Sequence, residues 1–227
     1  MNLESIANTL RYSGDLVHIL SKVVLSQKIE KTKSCSGLSF KTQFLYLVVF
    51  LSRYFDLFEV SFSKWKSVYN LILKITFITF QCLVVYLIRI KYYSSYDKKT
   101  DVFKVRIILI PSFLISFLLK PKTNGIYDFI SEFLYVFSLI LESVSILPQL
   151  VQIQEEGECE NLTSTFIMLL GGYRALYTLY FILKKIAGLK VGSLLVATGI
   201  IQVILYTDFF VLYYKYVFLN KKINEAS

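Results

Sequence analysis

The chain has 227 residues, with 25 Lys and Arg against 16 Asp and Glu for a net charge of +9, and 55% of its residues are hydrophobic. So apolar a chain is not disordered or of low complexity, and a soluble globule of this size has too little interior for that much Leu, Ile, Val and Phe. A bilayer can take it: each crossing helix needs roughly 20 residues, leaving room for about seven spans joined by short loops.

Apolar runs fall at about 10–27, 42–58, 67–90, 106–119, 126–147, 166–186 and 193–219. They predict an all-α integral membrane protein of seven transmembrane helices in a single domain, or six if the short 106–119 run fails to span. The opening MNLESIANTL holds Glu4 but no Lys or Arg, so it lacks the basic segment of a cleavable signal peptide. The first run is therefore expected to stay in the membrane.

The first helix carries Arg11, Asp15, His18 and Lys22, spaced four, three and four. At 100° per residue they fall within a sector of about 60°. A charge at bilayer depth costs at least about 2.5–3.5 kcal/mol, so a stripe of this kind needs partners or an aqueous cavity. Helix 2 adds Arg53 and Asp56, three apart and expected to be neighbours on one face. Partial pairing of Arg11 with Asp15 and of Arg53 with Asp56 is the bland reading of these charges. Helix 5 presents Ser131, Tyr135, Ser138, Glu142, Ser145 and Gln149 on one stripe, with Glu132 beside it. Helix 6 contributes Tyr173, Arg174, Tyr177, Tyr180 and Lys184, and helix 7 Gln202, Tyr206 and Asp208. Pro111 and Pro148 are expected to kink their helices.

Orientation follows the lysines of the short loops. With the N-terminus outside, segments 28–41, 91–105, 152–165 and the tail lie inside and hold eleven lysines, against seven in the outside segments. Arg11, Arg53 and Lys184 then sit toward the outer ends of their helices. Three converging cations call for an acidic ligand in a cavity open to that side. His18, the sole histidine, is the side chain whose ordinary pKa lies between pH 5 and 8, which makes it the candidate pH sensor.

A possible internal repeat joins distant parts of the chain. Cys35-Ser36-Gly37-Leu38-Ser39 returns as Cys159-Glu160-Asn161-Leu162-Thr163, and the same offset of 124 carries His18 onto Glu142. Such an offset superposes the first helix on the fifth, giving two parallel three-helix repeats joined by helix 4, a SWEET/PQ-loop-like arrangement with its site between the halves. No P-loop, G-x-S-x-G, H-E-x-x-H or G-x-G-x-x-G motif is present, so no enzymatic activity is expected. One histidine and three scattered cysteines (Cys35, Cys82 and Cys159) supply neither a common zinc site nor a disulfide framework, and no cofactor is expected. The excess positive charge suits membrane lipids rather than nucleic acid.

Several motifs closely resemble one family. They are RYSGDLVH at 11–18, SCSGLS at 34–39, RYFDLF at 53–58, LESVSILPQL at 141–150, YRALY at 173–177 and ILYTDFF at 204–210. Together they resemble the ER lumen protein-retaining (KDEL/HDEL) receptors from about residue 9 to the C-terminus. The resemblance implies a seven-helix SWEET-like fold in ER and cis-Golgi membranes, with a luminal N-terminus and a cytosolic C-terminus. It implies binding of C-terminal Lys/His-Asp-Glu-Leu signals of luminal cargo in the acidic Golgi, return through the COPI coat, and release near neutral pH. By motif, Arg11, Arg53 and Lys184 are expected to hold the signal's carboxylates. Asp56, Glu132 and Tyr135 shape the pocket for its first residue, with Tyr177 and Phe181 alongside. His18, Glu142 and Tyr173 form the pH lock, supported by Arg174. Asp208 registers helix movement, and Lys221 and Lys222 are the COPI sorting signal.

This chain departs from that family in having Lys184 in place of Arg, Tyr135 and Phe181 in place of Trp, and about six extra N-terminal residues. The alternative reading is a SWEET/PQ-loop-like transporter of a small solute. The density of fixed cations in the cavity speaks against a sugar, which needs hydroxyl partners.

Overall fold

The computed structural model describes residues 3–57, 59, 62, 64–156 and 161–213. All regular structure among them is helical: α1 (Leu3–Thr32), α2 (Phe40–Arg53), α3 (Trp65–Tyr86), α4 (Arg106–Leu119), α5 (Ile126–Val144), α6 (Leu147–Glu156), α7 (Asn161–Ile186) and α8 (Ser193–Tyr213), with a π-helical turn at Leu87–Lys91 and a 3₁₀ turn at Tyr93–Ser95.

Four helical stretches are long and apolar enough to cross a membrane: Trp65–Lys91, Ile126–Glu156, Ser164–Ile186 and Ser193–Val211. α2 and α4 are 14 residues each. The outward faces of the bundle are apolar, as Phe113, Leu114, Phe117 and Leu118 of α4 show with 51–80% exposure, a pattern that suits lipid rather than water.

Three boundaries differ from those read from hydropathy. α1 is 30 residues long rather than 18, because its polar ends contain no Gly or Pro to stop it; Glu4 in the first turn and Lys31 in the last complement its dipole. It ends at Lys33, whose φ of 51° leaves the helical region. α2 starts where the Ser39 hydroxyl accepts the Thr42 N–H, and ends at Arg53, five residues short of the apolar run. Residues 54–57 form turns, with the Leu57 N–H donating to the Tyr54 carbonyl. The fifth run is broken: α5 stops at Val144 and α6 begins at Leu147. Pro148 has no N–H to donate and its ring crowds the carbonyl four residues back, so a continuous helix fails there. By contrast α4 runs through Pro111.

α3 packs against both α1 and α2, and α8 against both α5 and α7. The two sets meet where α1 lies along α7 and α2 along α5, while α4 covers α5. Glycine permits one of these approaches: a Cβ on Gly199 of α8 would stand 2.8 Å from Thr178 Oγ1 of α7.

At one end of the bundle a polar network ties the loops together. Asp101 is buried and accepts from Ser39 Oγ (3.0 Å) and the Tyr96 hydroxyl (2.7 Å), and Lys41 Nζ donates to its carbonyl. Gln149 accepts from Ser39 N–H (2.9 Å) and donates to the Gly37 carbonyl (2.8 Å). Leu25, Ile29, Leu38, Leu87, Ile153 and Phe166 fill the core beside it. This end is closed by packing, and the cavities described next lie toward the other.

Candidate functional site

The stripe on α1 faces inward, as its spacing requires: Asp15 and His18 are each 4% exposed and Lys22 is fully buried. Around it α2, α3, α5, α7 and α8 enclose a cavity of about 130 Å³ lined by His18, Arg53, Glu142, Tyr173, Arg174 and Gln202, among others. Glu142 of α5 is its centre. Arg53 Nη1 stands 2.5 Å from Glu142 Oε2, and Arg174 of α7 pairs with the other carboxylate oxygen. Arg53 Nε also donates to Ser138 Oγ (3.1 Å), and Arg174 Nε to the Tyr173 hydroxyl (3.0 Å). Two guanidiniums sharing one carboxylate leave the pocket positive. Arg53 Nη2 is buried with no hydrogen-bond partner, a donor whose desolvation nothing offsets.

His18 sits between two rings: its centroid is 3.9 Å from that of Tyr173 at an interplanar angle of 9°, and 4.1 Å from that of Phe77 at 25°. Its Nε2 is buried without a partner. One turn deeper, Lys22 Nζ donates to Gln81 Oε1 (2.7 Å) and stands 4.9 Å from the ring centroid of Tyr46. Gln81 donates in turn to the Gln43 carbonyl (2.8 Å), so a chain of amides links α1, α3 and α2 beneath the pocket.

Arg53 also lines a second, more open cavity of about 590 Å³ with Arg11, Asp56, Asn70, Lys74, Glu132 and Tyr135. The two cavities therefore meet at one guanidinium. Arg11 Nη2 donates to Asn70 Oδ1 (2.6 Å) rather than pairing with Asp15. Asp15 instead accepts from the hydroxyls of Tyr69 (2.9 Å) and Tyr177. Asp56 pairs with Lys74, whose Nζ is 2.8 Å from each carboxylate oxygen, and not with Arg53. The expected pairs within helices are thus replaced by pairs between elements.

Phe181 lines the inner cavity and stacks on Tyr177 with centroids 6.4 Å apart. Lys184 Nζ lies 5.1 Å from the centroid of Tyr180, which lines an adjoining cavity with Arg11 and Asp15. Asp208 is exposed on α8, away from these cavities. Lys221 and Lys222 lie outside the described residues. Asn70 and Lys74 of α3 were not legible as site residues from the stripes of the other helices, although a lysine inside an apolar run is itself a signal.

Comparison with known proteins supplies the remaining observation. Residues 34–184 match the model of the family described as ER lumen protein retaining receptor. The chain belongs to that family. The Drosophila melanogaster ER lumen protein-retaining receptor is 38% identical over 216 residues, covering 95% of this chain and 98% of its own. The Dictyostelium discoideum receptor of the same name is 40% identical over 217 residues, covering 95% and 98%. The human ER lumen protein-retaining receptor 2 is 39% identical over 217 residues, covering 96% and 98%. The match to the family model takes in α2 to α6 and the α7 segment up to Lys184, and the relatives extend the similarity over 95–96% of the chain.

Proposed function

We infer that this chain is a receptor, not an enzyme, that retains proteins of the ER lumen by binding C-terminal Lys/His-Asp-Glu-Leu signals. The observation that carries this reading is the Arg53–Glu142–Arg174 cluster, with its spare buried donor on Arg53 at the junction of the two cavities. A free C-terminus preceded by two acidic side chains brings three carboxylates, and Arg53, Arg11 and Lys184 are the cations that meet them. Charge-assisted hydrogen bonds of this kind are about twice as strong as neutral ones. Asp56, Glu132 and Tyr135 stand at the open cavity, where the signal's first residue enters, and Tyr177 and Phe181 line the path inward.

Acid pH favours capture in this reading. A protonated His18 adds a second N–H donor and a positive charge to a pocket about to receive anions. Glu142 and Tyr173 hold the lock, Arg174 supports it, and loss of the proton near neutral pH releases the cargo. The receptor works as a seven-span protein of ER and cis-Golgi membranes with a luminal N-terminus. Its two parallel three-helix repeats are supported by the packing, in which α3 lies between α1 and α2 as α8 lies between α5 and α7. Asp208 relays movement of α8 to the cytosolic tail, where Lys221 and Lys222 engage the COPI coat.

The test is binding of HDEL- and KDEL-terminated peptides by purified receptor at pH 5.5 and pH 7.4, beside uptake of labelled sugars by reconstituted protein. Acid-favoured peptide binding without uptake is expected. Uptake without peptide binding would make the chain a solute transporter.

A further inference from the structure

At the closed end of the bundle two exposed cations are held by aromatic rings rather than by carboxylates. Arg89 lies in the π-helical turn that ends α3, where the Tyr92 N–H reaches back to the Leu87 carbonyl (2.8 Å). Its Cζ stands 5.2 Å from the ring centroid of Tyr93 and 5.7 Å from that of Phe40, the first residue of α2. Lys98 Nζ is 4.6 Å from the same Tyr93 ring. One tyrosine thus gathers two like charges, which repel each other unless an anion joins them.

Among the described residues, four carboxylates of this end accept other donors. Glu30 takes Lys91 Nζ at 2.7 and 2.8 Å and the Tyr92 hydroxyl at 2.9 Å. Asp97 accepts the Lys99 N–H (2.8 Å), and Asp101 is committed to Ser39, Tyr96 and Lys41. Glu156 accepts from Thr100 Oγ1 (2.8 Å) and Gln152 Nε2 (2.7 Å). Among the described residues no ion pair includes Arg89 or Lys98. A cation resting on a ring face keeps its N–H donors free, and a guanidinium's planar fork matches two oxygens of a phosphate.

The surface beside these cations is apolar. Phe40 stacks on Phe44 (centroids 6.1 Å apart), which is 42% exposed. Along α3, Ile75, Leu83 and Tyr86 are exposed at helical spacing, and the exposed Ile90 of the π-helical turn continues the strip beside Arg89. An apolar strip that finishes in two ring-held cations has the polarity of a phospholipid standing on end: acyl chain along the strip, headgroup phosphate at its limit.

We propose that Arg89 and Lys98, positioned by Phe40 and Tyr93, bind the headgroup phosphate of an anionic phospholipid whose acyl chain lies against Phe44 and Tyr86. The charge complementarity selects an anionic headgroup over a zwitterionic one, and the apolar strip selects a lipid over a soluble phosphate.

The experiment is native mass spectrometry of the full chain in detergent, titrated with phosphatidylinositol phosphate or with phosphatidylcholine. A cation near a headgroup changes anionic-lipid affinity by about fivefold, so the Arg89→Gln/Lys98→Gln variant is expected to lose most of the preference for phosphatidylinositol phosphate while binding HDEL peptide as before. Lys31→Gln/Lys99→Gln, which removes two exposed lysines of the same end, should keep the preference. Retained preference in the first variant, or an equal loss in the second, overturns the site. Equal competition by a soluble inositol phosphate overturns the lipid assignment. A first variant that no longer binds HDEL peptide is replaced by Tyr93→Leu, which removes only the shared ring and should weaken the preference; an unchanged preference there refutes the proposal.

Discussion

Replacing Arg53 with alanine tests the pocket most directly, because this residue joins the two cavities. In the free receptor it spends Nη1 on Glu142 (2.5 Å) and Nε on Ser138 (3.1 Å), and its side chain is 17% exposed. Its Nη2 is the spare donor. Truncation removes that donor and one of the two cations beside Glu142, but Arg174 still pairs with the carboxylate, so the fold should survive. Removing one partner of a desolvated charge pair costs about 2–5 kcal/mol, and with tenfold in affinity for every 1.4 kcal/mol the loss ranges from about 30-fold to more than 1,000-fold. The assay is calorimetric or fluorescence titration with an HDEL peptide at pH 5.5, on protein that remains monodisperse by size exclusion. Arg53→Lys should recover part of the affinity, since it restores the charge without the fork. Wild-type binding by both Arg53→Ala and Arg11→Ala would show that the signal binds elsewhere.

His18→Ala should flatten the fall in peptide affinity between pH 5.5 and 7.4; an unchanged profile would assign the switch to a carboxylate such as Glu142. Changing Lys221 and Lys222 to serine should leave peptide binding intact while the receptor fails to return from Golgi to ER, and normal cargo-induced return would reduce the pair to membrane anchors. Asn161, in the sequon Asn161-Leu162-Thr163 at the start of α7, should carry no glycan if that end of α7 is cytosolic; endoglycosidase-sensitive mass at that position inverts the topology. Burial pushes the Cys35 thiol up from its ordinary pKa, and the residue is fully enclosed. It should therefore resist maleimide at pH 7.5 until the protein is denatured, and rapid labelling of the native protein, mapped by peptide mass, would show that the closed end opens.

Hydropathy and helical periodicity are local properties, and they determined the all-helical character, the apolar outer faces and the inward stripe of Asp15, His18 and Lys22. Short contiguous motifs likewise carried the family. Partners across the bundle were not legible, for a geometric reason. Residues three apart are neighbours only while a helix continues, and α2 stops at Arg53, so Asp56 leaves that face and meets Lys74. Arg53 then turns to Glu142, 89 residues away in sequence, and Arg11 reaches Asn70 because α3 packs beside α1. The apolar run around Lys74 gave no hint of its partner Asp56, and Arg89 and Lys98 meet at Tyr93 only because the π-turn and the loop after it fold back beside α2. Sequence determined which residues must avoid lipid; only the packing of helices decided which of them face one another, since hydrogen bonds and ion pairs form over about 3 Å of space whatever the separation along the chain.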